Sequence, residues 1–185
     1  MGGARLQPAS GDQDWLRACR SGQYYARFGI WNYVAKAKDV LYYVPMPIPS
    51  SRLIDRIACY ITVVGDATAR ARLGIYMDDG TGNPGALMVD GGVIDMSAGV
   101  GIKASVIAVQ CPPPLVWLAY VQTFTAVSPL LSQAVTGEGA PVGLGADLGA
   151  RYGGTVAQAY GALPAVAPAI TALESASLVL GIRRV

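Results

Sequence analysis

The oxygen-bearing side chains of this sequence are most concentrated in the stretch Asp-Asp-Gly-Thr-Gly-Asn at positions 78–83. Carboxylate and amide oxygens on a flexible, Gly-spaced loop are ligands that Ca²⁺ accepts, so Asp78, Asp79 and Asn83 form a candidate calcium site. The stretch lacks the loop length and closing Glu of an EF-hand, and the same residues are ordinary hairpin-turn chemistry. We therefore expect a surface turn, with calcium binding as the alternative and no other metal or cofactor.

Residues for catalysis are scarce. The chain contains no His, which excludes Ser-His-Asp and Cys-His nucleophile systems and His-based metal sites. A glycosidase needs two carboxyls across a cleft, yet the only glutamates are Glu138 and Glu174. Asp78 and Asp79 cannot form such a pair merely by being adjacent, because neighbouring strand residues point to opposite faces. The sequence therefore predicts a protein that is not an enzyme.

Cysteine usage is also uninformative for metal or disulfide chemistry. Cys19, Cys59 and Cys111 are odd in number, far apart and without Cys-x-x-Cys spacing. This pattern indicates neither a disulfide framework nor a zinc site, and it fits folding in a reducing compartment.

Aromatic residues cluster between positions 24 and 43. Exposed aromatic rings present flat apolar area with a polar edge and can stack on sugars, so Trp31, Tyr33 and Tyr42 are candidate contacts for a glycan or for a neighbouring subunit. The alternative is that this set lies in the core of the domain.

The first 22 residues differ from the rest of the chain. They are rich in Gly and enclose one short helix-like piece, on which Trp15, Leu16 and Cys19 form a small apolar side. Such a piece is too small to fold alone. It predicts either an arm, residues 1–22, that anchors the protein to a partner, or a disordered tail, followed by one domain over residues 23–185.

The composition points to permanent contacts with other chains. Hydrophobic residues make up 52% of the sequence and charged residues only 14%, against about 25% in typical domains. A surface this poor in charge predicts an oligomer or a larger assembly; a monomer with a Gly, Ala, Ser and Thr surface is the alternative. The net charge of +2 is spread along the chain, which argues against nucleic-acid binding. Neither a signal peptide nor a membrane span is expected, because residues 1–20 lack an apolar core and prolines interrupt residues 157–173.

Alternating apolar residues separated by short turn clusters predict an all-β, antiparallel β-sandwich of jelly-roll-like form. Residues 115–124 are apolar on both faces, which predicts a central strand covered on both sides. Residues 86–89 and 93–96 are expected to form two short strands, and the prolines from Pro45 onward are expected at a sheet edge. A long strand over residues 52–64 is expected to present one apolar face, which consists of Leu53, Ile57, Cys59, Ile61 and Val63.

Several short segments occur in the order and spacing of a known domain. They lie at positions 24–25, 43–45, 54–57, 72–76, 83–87, 95–97, 116–119 and 160–164, and they read Tyr-Tyr, Tyr-Val-Pro, Ile-Asp-Arg-Ile, Arg-Leu-Gly-Ile-Tyr, Asn-Pro-Gly-Ala-Leu, Asp-Met-Ser, Val-Trp-Leu-Ala and Tyr-Gly-Ala-Leu-Pro. In these segments the chain resembles a β-sandwich domain of tailed-bacteriophage virion proteins over about residues 21–185. One departure is the triple proline at positions 112–114, where that domain usually has Gly-Leu-Tyr-Trp.

The resemblance implies a jelly-roll-like fold, a homotrimer and a place on the virion surface, with assembly in the host cytoplasm. It implies no catalytic residues. We therefore expect a tail-fibre or head-fibre knob that attaches to the host surface, with the arm bound to other capsid or tail proteins. A host glycan is the expected outside partner. A capsid decoration protein that stabilises the shell and a carbohydrate-binding module are the alternatives.

Overall fold

A computed structural model describes residues 22, 24–26, 30–135, 153–174 and 176–185. These residues form two packed antiparallel sheets and no helix, so none of them builds a helix that could cross a membrane. The prediction of an all-β, antiparallel sandwich is confirmed. The strands are β1 Tyr24–Ala26, β2 Ile30–Ala35, β3 Val40–Pro47, β4 Arg52–Val63, β5 Arg70–Asp78, β6 Pro84–Asp95, β7 Gly101–Cys111, β8 Leu115–Thr123, β9 Leu130–Val135, β10 Gly153–Ala157, β11 Ala172–Glu174, β12 Ala176–Leu178 and β13 Leu180–Arg184.

Sheet A contains seven of these strands in the order β1-β13-β4-β9-β12, with β2 also paired to β9 and β7 also paired to β4. The long strand β4 organises it, since β7 lies along one edge and both β13 and β9 lie along the other. Sheet B contains six strands in the order β11-β10-β3-β8-β5-β6. Strand β8 lies near its middle, between β3 and β5.

The main core fills the space between the two sheets. Strand β4 contributes four buried residues to it: Ile54, Ile57, Cys59 and Ile61. The predicted inner face of this strand was wrong at both ends, because Leu53 and Val63 are 46% and 45% exposed. The physical reason is a pair of register shifts, one between Ile54 and Arg56 and one between Ile61 and Val63, which reverse the alternation of side chains.

A second core cluster lies on the outer side of sheet B. Its floor is made of side chains of β3, β5 and β8, among them Tyr43, Tyr76 and Trp117, and its roof comes from residues 158–171. We call residues 158–171 the cover segment. Leu163 of the cover segment is buried, and Tyr160 and Ile170 pack against the same cluster. Strand β8 is therefore covered on both faces, as its apolar pattern predicts.

Two expectations about the strands change in the structure, and the C-terminal part of the chain contains an interruption that was not predicted. Residues 84–95 form the single strand β6 because bulges opposite β5 absorb its Asp-Gly-Gly turn sequence. The C-terminal strand segment is interrupted at Val179, whose N–H donates to Ser132 O. Before this residue β12 pairs with β9, and after it β13 pairs with β4. Pro45 and Pro47 lie in β3, an interior strand of sheet B, and not in an edge strand. The pairing of β3 with β10 ends at Tyr43, so among the described strands only β8 pairs with these prolines.

Candidate functional site

The outer face of sheet A carries several exposed apolar side chains. Opposed residues of an antiparallel pair point to the same side, and Tyr60 lies opposite Ile102 while Arg56 lies opposite Val106. Tyr60, Ile102 and Val106 are 40%, 56% and 72% exposed. Both described core clusters lie elsewhere, one between the sheets and one outside sheet B. We call this surface the open face.

The middle of the open face consists of small residues, of which Ala58 is only 4% exposed and Gly181 is buried. Ala58 lies opposite Ala104 on β7 and opposite Gly181 on β13, so little projects from the backbone there. Tyr33 extends the face to β2: it is 58% exposed, and its neighbour Val34 packs inward against the core. Sequence, register and exposure together thus place exposed apolar side chains around a centre of small, buried residues.

One end of the open face is charged. Arg183 of β13 forms an ion pair with Asp55 of β4, with its Nε 2.9 Å from Asp55 Oδ1, and its guanidinium lies 5.9 Å from the centre of the Tyr24 ring. Hydrogen bonding to Arg183 lowers the pKa of Asp55, and the same bond raises the pKa of Arg183. Arg56 lies directly opposite Arg183. This end carries a fixed, partly neutralised charge pair beside the apolar centre.

The loop at positions 78–83 is held by its own hydrogen bonds. Asp78 Oδ1 accepts from the Trp117 indole N–H at 3.0 Å, and Asp78 Oδ2 accepts from Gly80 N at 2.9 Å. Asp79 Oδ1 accepts from both Thr81 N and Thr81 Oγ1 at 2.7 Å and from Asn83 N at 3.2 Å. The bonds from Thr81 lower the pKa of Asp79. These contacts account for the turn without a cation.

Calcium binding by Asp78, Asp79 and Asn83 remains a prediction. Within the described ranges, no group of three or more His, Cys, Asp or Glu is placed to hold a metal ion. The Trp117 contact shows what Asp78 does in the fold: it gives the indole N–H of the second core cluster a partner at the end of β5.

The aromatic candidates separate into different environments. Tyr33 lies on the open face, whereas Tyr42 is only 6% exposed and its hydroxyl accepts a hydrogen bond from Ala37 N. The expectation that Tyr42 contacts a glycan or a partner is therefore corrected, because its ring belongs to the main core. Trp31 lies on β2, opposite Ala134.

The remaining predicted site residues contribute no cluster. Trp15, Leu16 and Cys19 of the anchoring arm, and also Glu138, lie outside the described residues. Glu174 is engaged in a structural pair, with its Oε2 2.8 Å from the Nζ of Lys36, which is only 8% exposed. Burial raises the pKa of Cys59 to about 12 and that of Cys111 to about 11, so both thiols are protonated.

Sequence reasoning did not single out Tyr60, Ile102 and Val106. In β7, the outward residues Ile102, Ala104, Val106 and Ala108 are all apolar, but they alternate with a second set that contains Lys103 and Ser105. A strand that is apolar on both faces predicts cover on both faces. That inference was drawn for β8, and β7 does not meet its condition because Lys103 lies in its second set.

Searches of protein-family models, curated proteins and solved structures find no match to this chain. The functional argument therefore rests on the residues themselves.

Proposed function

We propose that this protein is a non-enzymatic structural subunit of a bacteriophage particle surface, a tail-fibre or head-fibre knob that takes part in host attachment. The observation that carries the structural role is the open face: Tyr60, Ile102 and Val106 stand exposed on one rigid sheet surface. Contiguous apolar surface on a soluble domain marks a contact with another macromolecule. The low charged fraction of 14% supports the same role.

The chemistry of the described residues favours binding over catalysis. The carboxylates described above serve ion pairs and turns: Asp55 pairs with Arg183, Glu174 pairs with Lys36, and Asp79 caps its own loop. The chain also contains no His to act as a general base near neutral pH. Such an arrangement suits a rigid module that supplies surface to an assembly.

The phage setting rests on the resemblance of short segments, and three of these segments meet in the second core cluster. Tyr76 of β5, Trp117 of β8 and Leu163 of the cover segment belong to that one cluster. These three segments are distant in sequence but contact one another, so they take part in one packing arrangement. Their joint occurrence shows that three of the segments that carry the resemblance belong to one packed unit of this fold.

Particle association tests the proposal directly. An antiserum against the purified chain is used to follow the protein through density-gradient purification of phage particles from the culture that produces it, and immunogold labelling then locates it. Co-purification with particles, labelling at their surface and inhibition of adsorption by the antiserum are the expected results. Absence of the chain from infectious particles would overturn the proposed function.

A capsid decoration role is separated by the phenotype of particles that lack the protein. If such particles adsorb normally but break at lower temperature or lower salt, the protein reinforces the shell and the attachment role is wrong. If adsorption fails while the particles stay intact, attachment is supported.

A carbohydrate-binding module is the second candidate, because Tyr33 is 58% exposed on the open face. Stacking of a sugar on an aromatic ring predicts that Tyr33→Ala weakens binding on a glycan array, whereas substitution of the buried Leu163 has no direct effect on sugar contacts. An array with no ligand for the unmodified chain would remove this candidate.

A further inference from the structure

We propose that the cover segment is a flap, which swings away from sheet B as one unit while both sheets stay folded. The cover segment connects β10 to β11, and these two strands pair with each other. Its two ends therefore lie side by side at the base of a hairpin. The proposal concerns the covered side of the sandwich and does not depend on what the open face binds.

The two ends of the cover segment are fixed to the strands. Thr171 donates from its N and its Oγ1 to Thr155 O, at 2.9 and 3.1 Å. At the other end, Gln158 N donates to Asp39 O at 3.0 Å. A loop whose ends are close together forms a compact unit of its own. Such a unit can move about its base without displacing the strands that carry it.

The middle of the cover segment has few buried contacts. Leu163 is its one buried residue, and its one strand-like pairing is the isolated bridge between Val166 and Ala86 of β6. In β8, by contrast, every residue except Thr123 is buried, and the strand is paired on both sides. Segments with few buried apolar contacts open at a lower free energy than core strands do.

The closed position also leaves polar atoms on sheet B without a partner. The Tyr43 hydroxyl and the Arg72 Nε are buried, and neither has a hydrogen-bond partner. Tyr43 belongs to the cluster beneath the cover segment, and Arg72 pairs with Asp90, which also accepts from Leu163 N. A buried polar atom without a partner costs free energy that water restores. Opening admits that water, so both atoms favour the open position.

The bonds that hold the middle of the flap can be replaced by bonds to water. Besides the bond from Leu163 N, Leu87 N donates to Ala165 O at 2.9 Å, Ala167 N donates to Gly85 O at 2.8 Å, and the Tyr76 hydroxyl donates to Pro164 O. Exchange of such bonds for bonds to water has a small net cost for each bond. Opening exposes an aromatic floor that is otherwise fully buried, so the flap controls access to it. This floor consists of Tyr43, Tyr76 and Trp117.

Native-state hydrogen exchange of the full-length chain, followed by NMR, tests the proposal. The amides of Leu163, Ala167 and Leu87 report on the flap, because each bonds across the contact between the cover segment and sheet B. We expect them to exchange at least about 10-fold faster than the amides of β8, with a weaker dependence on urea. Exchange at the rate of β8, with the same urea dependence, would overturn the proposal.

A reversible lock supplies the second measurement. Ala86 and Val166 are exposed, and the bonds from Leu87 N and Ala167 N flank them, which makes them a closely spaced antiparallel pair. Ala86→Cys combined with Val166→Cys therefore suits a disulfide. In the oxidised variant, the exchange rate of the Leu163 amide is expected to fall to that of β8.

The same variant in reductant is the matched control and should keep the fast exchange of Leu163. Circular dichroism verifies that both forms fold. Unchanged exchange of Leu163 after oxidation would also overturn the proposal, because a locked flap cannot expose that amide.

Discussion

The outer faces of the two sheets both carry apolar side chains, yet described residues form a cover segment over only one of them. On sheet B, the cover segment buries Leu163 and packs Ile170 against Tyr43, Tyr76 and Trp117. On sheet A, Ile102 and Val106 are 56% and 72% exposed. The comparison shows that the described residues cover the apolar outer side chains of sheet B and leave some of those on sheet A exposed.

The cover of sheet B is fastened by directional bonds as well as by apolar packing. Asp39 Oδ1 accepts from Tyr160 N at 2.9 Å, Asp90 Oδ2 accepts from Leu163 N at 3.0 Å, and the Tyr76 hydroxyl donates to Pro164 O at 3.0 Å. These bonds fix a segment without regular structure at one position. Among the described residues, no segment is fastened to the open face in this way.

Among the substitutions proposed here, removal of the Leu163 side chain is expected to have the largest effect on stability, because it weakens the cover of sheet B. Leu163→Ala leaves a cavity between the cover segment and β8, and we expect it to lower the free energy of unfolding by about 3 kcal/mol. Urea unfolding followed by tryptophan fluorescence measures the loss. A change below about 0.5 kcal/mol would mean that sheet B does not depend on its cover.

Gly74 supplies the space that Leu163 occupies. A Cβ at position 74 would overlap Leu163 Cδ1 and lie 2.9 Å from Val89 O, so Gly74→Ala is expected to cost about 2 kcal/mol by urea unfolding. Gly161→Ala is the matched control, because its nearest atom lies 3.9 Å away, and it is expected to change little. In the Leu163→Ala background the effect of Gly74→Ala should shrink, and strict additivity would contradict the contact.

Asp90 connects the cover segment to sheet B through an ion pair and a hydrogen bond. Its Oδ2 lies 2.6 Å from the Nη1 of Arg72 and also accepts from Leu163 N. Asp90→Asn removes the charge that balances this partly buried Arg72, and we expect a loss of about 1.5 kcal/mol in unfolding free energy. Asp95→Asn provides the comparison, since its own pair with Arg70 is more exposed and is expected to matter less.

Asp66 connects the β4–β5 turn to the β8–β9 turn, and a substitution there tests a part of the fold that belongs to neither outer face. Its carboxylate accepts from Thr68 and from the N–H groups of Ala126 and Val127, and these bonds hold its pKa well below the usual range. A lowered pKa stabilises the fold above the unfolded-state pKa of about 4 and ceases to do so as the pH falls through the folded-state pKa.

We therefore expect Asp66→Asn to lower the melting temperature at pH 7 and to approach the unmodified protein as the pH falls below about 4. Melting curves from pH 7 to pH 2 measure this. A difference that stays constant over the whole range would show that the hydrogen bonds to Asp66 do not depend on its charge.

Substitution on the open face should have the smallest effect on the monomer. Ile102→Ser removes an exposed apolar side chain, so we expect less than about 0.5 kcal/mol change in unfolding free energy at a concentration where the chain is monomeric. The contrast with Leu163→Ala measures the difference between a covered face and an open one. A loss comparable to that of Leu163→Ala would mean that Ile102 is already covered within one chain.

The sequence predicts the sandwich because turn clusters and alternation are local signals. Strand β8 was placed correctly, with cover on both sides, since no polar residue interrupts residues 115–121. The inner face of β4 was mispredicted at Leu53 and Val63, because bulges are set by strands distant in sequence and leave no mark in the alternation itself.

The candidate site was less predictable for a similar reason. The exposure of Ile102 depends on which strand edges meet on sheet A, and Ile102 alone looks like any core residue of a strand. Tyr33 was selected from its ring and lies on the open face, while Tyr42 carries the same ring and is buried. The residue type determines what a side chain can bind, whereas the order of strands in the sheets determines which side chains are exposed for binding.

The position of β13 has a consequence for synthesis. Residues 180–184 lie between β1 and β4 in sheet A, so a strand from the end of the described chain completes a sheet that begins near residue 24. Until those residues have left the ribosome, the inner edge of β4 and the core residues Ile57 and Cys59 lack their neighbour. Long-range strand pairing is slow and exposes apolar edges to aggregation. A nascent chain of this protein therefore exposes the apolar edge of β4 until β13 is in place.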